Sequence, residues 1–228
     1  MNALFNFTRE SITELLLSLP VILLALTVHE VSHGWMAMKL GDPTARNLGR
    51  LTLNPLKHLD PIGTICMILF RFGWAKPVPS NVKYFKKPRR DMALTALAGP
   101  VSNFIMGFFG VLFYRIFVAV FNSTLTLASS AFALNFAKAV VTFFYLFAWL
   151  NLSLGLFNLI PIPPLDGSRI FLTFLPPKYY FGVMKYERYI MLGFMLLLYT
   201  GIVTRPLGIA VNGIFKGFNN LIGLIPGL

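Results

Sequence analysis

Four long apolar runs constrain the fold of this chain more than any other feature of its sequence. Each is long enough for a helix that crosses a bilayer, which needs about 20 apolar residues. They cover residues 12–38, 92–121, 134–160 and 187–204. Charged residues make up only 12% of the chain, against about 25% in an ordinary globular domain. We therefore predict an all-α, multi-pass membrane protein that forms a single membrane-embedded domain over residues 1–228.

Two further apolar runs are too short or too interrupted to be assigned as spans. The run at 61–72 is closed by Arg71, and a re-entrant segment explains it as well as a span does. The run at 207–226 is broken by several glycines and by the Asn219-Asn220 pair, and it contains Lys216, so it can lie in the membrane interface. Depending on these two runs, we expect four to six transmembrane helices.

Basic residues are concentrated in two of the connections between the apolar runs. Eleven of the 20 Lys and Arg residues lie between 39 and 90, and four more lie between 161 and 188, whereas 122–133 contains none. Cytosolic loops of membrane proteins retain Lys and Arg, so we predict that both basic connections face the cytosol and that the N-terminus lies outside.

The net charge of +12 also occurs in nucleic-acid binders, but those carry basic patches on a polar surface. Polar surface is scarce here, so we expect contact with membrane lipid and none with nucleic acid.

Two of the three histidines of the chain lie with one acidic residue inside the first apolar run. They are His29, His33 and Glu30. Residues four apart lie on one face of a helix, so both imidazoles can bind one zinc ion, and the neighbouring Glu30 can take a proton from water. Ionisable groups near the middle of a membrane are costly and tend to mark function. The alternative is a hydrogen-bonded polar cluster that joins helices.

A third metal ligand must come from elsewhere, because a catalytic zinc site usually has three protein ligands and one open position. Soluble zincins with an extended motif place another histidine six residues after the second one, and Lys39 stands there. The remaining candidates are His58, Asp60, Asp91, Asp166 and Glu187.

Asp166 is the best placed of these candidates. Prolines at 161, 163 and 164 forbid regular continuation of the preceding apolar helix. Irregular backbone at membrane depth survives only where it is buried in protein or lines a wet cavity. We therefore expect a broken helix end to place Asp166 in such a cavity, although an exposed loop acid that caps the next helix is the alternative.

Three separated motifs occur in order along the chain. They are His29-Glu30-x-x-His33, Gly99-Pro100-x-x-Asn103, and a stretch from Asn158 to Leu165-Asp166-Gly167. Together they resemble those of the site-2 proteases, which are intramembrane zinc metalloproteases, and the resemblance extends over about residues 20–170. It implies one Zn²⁺ per chain, held by His29, His33 and Asp166, with Glu30 as the general base.

The resemblance also implies roles for polar residues around the metal. Asn158 would hold the substrate backbone or the developing oxyanion, which a side-chain amide donor can do. Asn103 would be a second such contact or a hydrogen bond in helix packing, and packing is the reading that we favour.

Residues 73–85 resemble the re-entrant β-segment of that family. The alternating prolines of this segment suit only an edge strand, and an edge strand can accept an extended substrate by strand addition. A basic cytosolic loop lying on anionic lipid is the alternative. The candidate substrate strand consists of Gly73, Trp74, Ala75, Lys76 and Val78.

The implied function is hydrolysis of peptide bonds within or next to transmembrane segments of membrane-anchored proteins or peptides, with the active site toward the cytosolic side of the cell membrane. The catalytic core would cover about 12–170, and helices in 187–226 would serve packing or gating. Regulation would come from a separate partner, and the oligomeric state stays open.

A metal-ion transporter is one rival, but no repeated halves are visible. A non-catalytic relative that binds membrane segments is the other, and Glu30 argues against it because metal binding alone does not require that neighbour.

Overall fold

The computed structural model describes residues 9–61, 63, 75–124, 130–176, 182–183 and 185–225. Most of the run at 61–72, which we predict to be re-entrant or spanning, lies outside the described residues. So do Gly73 and Trp74 of the candidate substrate strand. The helices are α1 (Arg9–Lys39), α2 (Thr44–Asn47), α3 (Pro88–Thr124), α4 (Ala131–Asn158), α5 (Asp166–Leu172), α6 (Glu187–Thr200) and α7 (Thr204–Ile222). Short 3₁₀ turns occupy Pro55–Lys57 and Val82–Tyr84.

Helices α1, α3 and α4 are long and apolar enough to cross a membrane, which confirms the first three predicted spans. The fourth predicted span is different. Helix α6 has 14 residues, about 21 Å at 1.5 Å per residue, and a bilayer core is about 30 Å thick. Helix α7 follows at an angle of 73°, and the two helices together pass as one broken span. In the described residues the protein therefore has three spans, or four if the bent pair crosses.

The break between α6 and α7 follows from the local sequence. Gly201 has φ of 82°, a left-handed conformation that commonly ends helices. Pro206 then stands in the first turn of α7, where a missing N–H does no harm, but it cannot continue the hydrogen bonding of α6. The hydropathy of 187–204 could not reveal this bend, because the apolar residues continue through it.

Small residues allow α3 and α4 to pack closely. A methyl group on Gly110 would lie 2.8 Å from the backbone of Ala148, and one on Gly107 would lie 2.6 Å from the Leu152 side chain. Membrane helices often associate through small residues, because lipid removes the hydrophobic drive for helices to associate. Helix α1 packs against both α3 and α4, so these three spans form the frame of the site.

Helix α7 covers most of the run at 207–226, and it packs on α3 and α4. Ile222 is buried with Val111 and Ala148, and the Phe108 and Phe218 rings lie 5.3 Å apart. Arg115 Nη1 donates to the Asn219 carbonyl oxygen at 3.3 Å. This bond partly satisfies the carbonyl end of α7, where a cation is favoured.

The connection between α1 and α3 is mostly irregular. In the part of it that the structure describes, β pairing is limited to one isolated antiparallel bridge between Leu59 and Ala75. The predicted re-entrant β-segment is represented there by this bridge alone.

Candidate metal centre and active site

Three side chains from two distant parts of the sequence meet between the spanning helices. The Nε2 atoms of His29 and His33 lie 3.0 Å apart. Asp166 Oδ2 lies 3.0 Å from His29 Nε2 and 3.2 Å from His33 Nε2. In the described part of the chain, these three residues form the group of His, Cys, Asp and Glu side chains that could hold a metal ion.

The hydrogen bonds of the two Nδ1 atoms determine which ring nitrogens face the centre of this triangle. His33 Nδ1 lies 2.7 Å from the Thr95 carbonyl oxygen, which can only accept a hydrogen bond. His29 Nδ1 lies 2.6 Å from Asn103 Oδ1, also an acceptor. Both Nδ1 atoms must therefore carry the proton of a neutral ring, and both Nε2 lone pairs face Asp166. Metal-binding histidines are commonly oriented in this way.

The resulting triangle fits a zinc ion. Bonds of 2.0–2.1 Å in tetrahedral geometry place ligand atoms about 3.3 Å apart, close to the distances between these three atoms. Asp166 Oδ2 is buried and accepts no hydrogen bond, because the two nitrogens facing it carry lone pairs. Three convergent lone pairs repel one another unless a cation lies between them. The orphaned oxygen is thus explained by a metal ion.

The backbone break after α4 places Asp166 at this point. Helix α4 ends at Asn158 and α5 begins at Asp166, which confirms the break expected from the prolines. Asp166 occupies the first turn of α5, where a carboxylate is favoured, but its side chain reaches the histidines. The alternative of an exposed loop acid is wrong.

The other candidate ligands lie elsewhere in the described structure. His58 is buried in the connection after α1, with Nε2 at 2.8 Å from the Thr52 carbonyl oxygen. Asp91 accepts from Lys87 N–H and pairs with Arg90 at the start of α3. Asp60 accepts from Gly63 N–H, and Glu187 begins α6. None of the four joins the metal-binding group.

A cavity of about 400 Å³ opens beside the triangle. Glu30 and Asn158 contribute polar groups to its wall, while residues 75 and 77–80 form one side and apolar residues of α6 line another. Asn158 Nδ2 donates to the Leu154 carbonyl oxygen at 3.0 Å, which uses one of its two N–H groups. The cavity therefore places a carboxylate and an amide beside the three side chains that could hold a metal ion.

Comparison with known proteins assigns the chain to a family. The model of "Peptidase family M50" matches residues 18–199, which contain the whole triangle. The chain belongs to this family, the site-2 proteases. A relative from Bacillus subtilis (strain 168), "Putative zinc metalloprotease YwhC", is 42% identical over 82% of this chain and 80% of its own length. No solved structure matches the chain significantly.

Two further relatives are each 27% identical. "Putative zinc metalloprotease Rip2" of Mycolicibacterium smegmatis matches over 68% of this chain and 56% of its own length. "Zinc metalloprotease MJ0392" of Methanocaldococcus jannaschii matches over 72% of this chain and 35% of its own length. As a site-2 protease, the chain is an intramembrane zinc metalloprotease with Zn²⁺ as its cofactor.

The glycine of the second site-2 protease motif lies directly beneath the histidines. A methyl group on Gly99 would come within 2.5 Å of two His33 ring atoms and 2.6 Å of His29 Cε1. Gly167 has a similar role at the other side, where a methyl group would overlap the Leu159 backbone. The bare backbone at these two positions lets α3 and α5 approach the metal-binding side chains.

Asn103 is fully buried and is not among the residues that line the cavity. Its Oδ1 faces His29, and its Nδ2 donates to Asn151 Oδ1 at 3.0 Å and to the Ala25 carbonyl oxygen at 3.3 Å. The proposed contact with substrate therefore has no support in this geometry, and the packing alternative accounts for it. No motif marks Asn151, and the one available signal is that a buried amide in a membrane helix needs a hydrogen-bond partner.

The Val78 N–H is also placed differently from the sequence prediction. Strand addition by the candidate substrate strand would use this N–H only if it faced the substrate. In the structure it donates to Glu30 Oε2 at 2.8 Å, and the neighbouring Lys76 N–H donates to the His58 carbonyl oxygen at 2.8 Å. These two donors are committed within the chain, because the segment is anchored to α1 and to the loop after it.

Proposed function

We propose that this site-2 protease hydrolyses peptide bonds within or next to transmembrane segments of membrane-anchored proteins, at the cytosolic side of the cell membrane. The observation that carries the proposal is the His29, His33 and Asp166 triangle at the wall of a largely apolar cavity between spanning helices. An apolar wall with a few polar groups suits a lipid-embedded segment better than a hydrated peptide.

In this proposal each polar residue of the cavity has a distinct role. His29, His33 and Asp166 hold the metal, and the tautomers fixed at Nδ1 keep both Nε2 atoms available to it. Zinc supplies Lewis-acid chemistry that makes water acidic enough to be deprotonated near neutral pH. Glu30 accepts that proton and passes it to the leaving amine. Asn158 donates to the substrate carbonyl oxygen with its remaining N–H.

The orientation in the membrane is supported by the surface formed by the end of the connection before α3 and by the first turn of α3. Its basic side chains are exposed to solvent: Lys83, Lys86, Lys87, Arg89 and Arg90. Such a cluster is retained on the cytosolic side and is attracted to anionic lipid headgroups. Asp166 lies beyond the cytosolic end of α4 in this orientation, so the metal-binding group faces the cytosolic half of the bilayer.

We retain the candidate substrate strand as a wall that contacts the substrate, without the Val78 N–H as a donor to it. Residues 75 and 77–80 line the cavity, so an extended substrate can lie along them. Pairing with the Val78 N–H is excluded from the proposal, because that donor binds Glu30. We also keep the single domain over 1–228, which the packing of α7 on α3 and α4 supports.

The test is cleavage and metal transport measured side by side in liposomes. Wild type should cut a reconstituted transmembrane peptide and should move no zinc across the bilayer. Glu30→Gln should abolish cleavage and retain about one zinc per chain, whereas Asp166→Ala should lose both the zinc and the cleavage. Loss of zinc in Glu30→Gln would make Glu30 a ligand and contradict the assigned roles. Membrane proteomes of cells with wild type and Glu30→Gln would then identify the substrates.

A further inference from the structure

Residues 76–81 form a short irregular strap beside the cavity, between the Leu59–Ala75 bridge and the turn at Val82–Tyr84. Prolines stand at 77 and 79, and proline has no N–H. Val78 is therefore the only residue in 77–79 that can donate a backbone hydrogen bond, and it donates to Glu30 Oε2 at 2.8 Å.

This single bond fixes the carboxylate of Glu30. An ionised carboxylate has two acceptor oxygens. With Oε2 held by the strap, the side chain loses rotational freedom and Oε1 is left to accept a proton. A backbone N–H is a firm anchor because its position is set by its neighbours in the chain, and here those neighbours are two rigid prolines.

The strap is attached to the rest of the molecule at both ends. At its start, the Lys76 carbonyl oxygen accepts from Arg50 Nη2 at 2.8 Å. The Lys76 N–H donates to the His58 carbonyl oxygen. At its end, the Asn81 N–H donates to Asp42 Oδ2 at 2.6 Å. Asp42 is fully buried, and its Oδ1 accepts from the Thr44 N–H at 2.9 Å.

Val78 also rests directly on α1. A methyl group on Gly34 would lie 2.9 Å from Val78 Cγ1 and 2.7 Å from a methyl group of Leu51. Gly34 is four residues after Glu30, so both lie on the face of α1 that the strap covers. Three contacts with α1 and the residues just after it therefore hold the strap: Glu30, Gly34 and Asp42.

We infer that the strap positions Glu30 for proton transfer, and that Asp42 is a remote positioning residue that acts through the Asn81 and Val78 backbone. The inference rests on the proposed role of Glu30 as the base. Asp42 itself is neither among the residues that line the cavity nor among those that could hold the metal in the described structure.

The first experiment needs no activity. Hydrogen–deuterium exchange of the zinc-loaded full chain in micelles is read at the Val78 amide in a fragment that covers 75–79, where Pro77 and Pro79 have no amide hydrogen and Lys76 carries the other backbone amide. Glu30→Ala should raise the exchange rate of this amide. Asp42→Asn keeps the acceptor for Thr44 and loses the one for Asn81, and it should raise that rate too. Asp91→Asn, a buried carboxylate outside the strap, is the matched control and should leave it unchanged.

The second experiment measures kcat and KM for a fluorogenic transmembrane peptide with a central Asn-Gly pair in liposomes. Asp42→Asn should lower kcat by about tenfold to a hundredfold, the effect of a misplaced catalytic group, with little change in KM and about one zinc per chain. Val78→Pro should have a lower kcat than Val78→Ala, because only the alanine variant keeps the N–H.

The outcomes separate this inference from the proposed function. If wild type does not cut the peptide while Asp42→Asn still exposes the Val78 amide, the proposed function fails and the coupling through the strap stands. If wild type cuts it, and Asp42→Asn exchanges and turns over like wild type, the strap inference is overturned. Equal kcat values for Val78→Pro and Val78→Ala would overturn it as well, whether or not Asp42→Asn folds.

Discussion

At the scale of single residues, the proposed zinc ligands depend on the hydrogen bonds made by their Nδ1 atoms. Each imidazole is held through Nδ1, one by the Thr95 carbonyl oxygen and the other by Asn103 Oδ1. Asn103 is in turn held by Asn151, whose Nδ2 donates to the Phe147 carbonyl oxygen at 2.8 Å. A chain of hydrogen bonds therefore runs from the backbone of α4 through α3 to His29. His29, Asn103 and Asn151 are buried, where an unpaired polar group is costly.

Asn103→Leu tests that chain of bonds. Leucine has a similar size but no acceptor, so His29 loses the group that sets its tautomer, and zinc affinity should fall by about 10-fold to 100-fold. Affinity is measured by competition with a zinc chelator in micelles. Asn212→Leu is the control, because Asn212 is an exposed residue of α7 that bonds to Trp149, far from the metal-binding group. Equal zinc affinities in the two variants would mean that Asn103 serves helix packing alone.

At the scale of helices, the metal-binding group requires that α1, α3 and α5 approach more closely than ordinary side chains allow. The histidines point away from α1 and their rings lie on the backbone of α3 at Gly99. This contact explains why a glycine is needed in a long membrane helix where alanine would otherwise be the better helix former.

Gly99→Ala should therefore abolish zinc retention and cleavage, since the new methyl group would overlap both imidazole rings. Gly213→Ala is the matched control. A methyl group there meets nothing within 4 Å, so that variant should keep its zinc and be slightly more stable. Zinc content by elemental analysis and thermal unfolding in micelles give the two readouts. A Gly99→Ala protein with full zinc would show that α3 can move away from the site.

Sequence reasoning reached the parts of the site that depend on spacing within one helix or on a chain break. His29 and His33 share a helix face, and the prolines after Asn158 bring Asp166 back to them. The same reasoning failed where one element meets another. It did not find Asn151, the contact at Gly99 or the bond from Val78 to Glu30. These features depend on how separate helices and loops pack against one another, which the periodicity within one helix does not predict. The bend between α6 and α7 was missed because hydropathy measures apolar length and not direction.

At the scale of the whole molecule, the distribution of positive charge predicts which side of the membrane each connection faces. Single cysteines replacing Asn47 and Lys87, both exposed, are expected to react with an impermeant reagent from the cytosolic side only, in a Cys66→Ser background. A cysteine replacing Asn122, near the other end of α3, should react from outside only. Labelling of position 47 from outside would reverse the proposed orientation.

Cleavage also requires access to the substrate backbone. In a helical substrate the carbonyl groups are hydrogen-bonded to N–H groups four residues away. Unwinding in lipid exposes polar backbone that nothing in the hydrocarbon region can satisfy. The cavity offers the Asn158 amide and, along its wall, the backbone of residues 75 and 77–80, so a substrate can be extended there. Residues that weaken a helix should lower the remaining cost of unwinding.

A matched pair of transmembrane peptides tests this account of the reaction. One carries Asn-Gly at the centre of its membrane segment, and the other carries Leu-Leu at the same positions and is otherwise identical. In liposomes the Asn-Gly peptide should be cut about fivefold to thirtyfold faster, because unwinding two poor helix formers saves roughly 1–2 kcal/mol and each 1.4 kcal/mol is a factor of ten. The same pair cut by soluble protease in detergent controls for intrinsic differences at the bond. Equal rates in liposomes would mean that substrate unwinding does not limit the reaction, and that the wall formed by residues 75 and 77–80 receives a segment that is already extended.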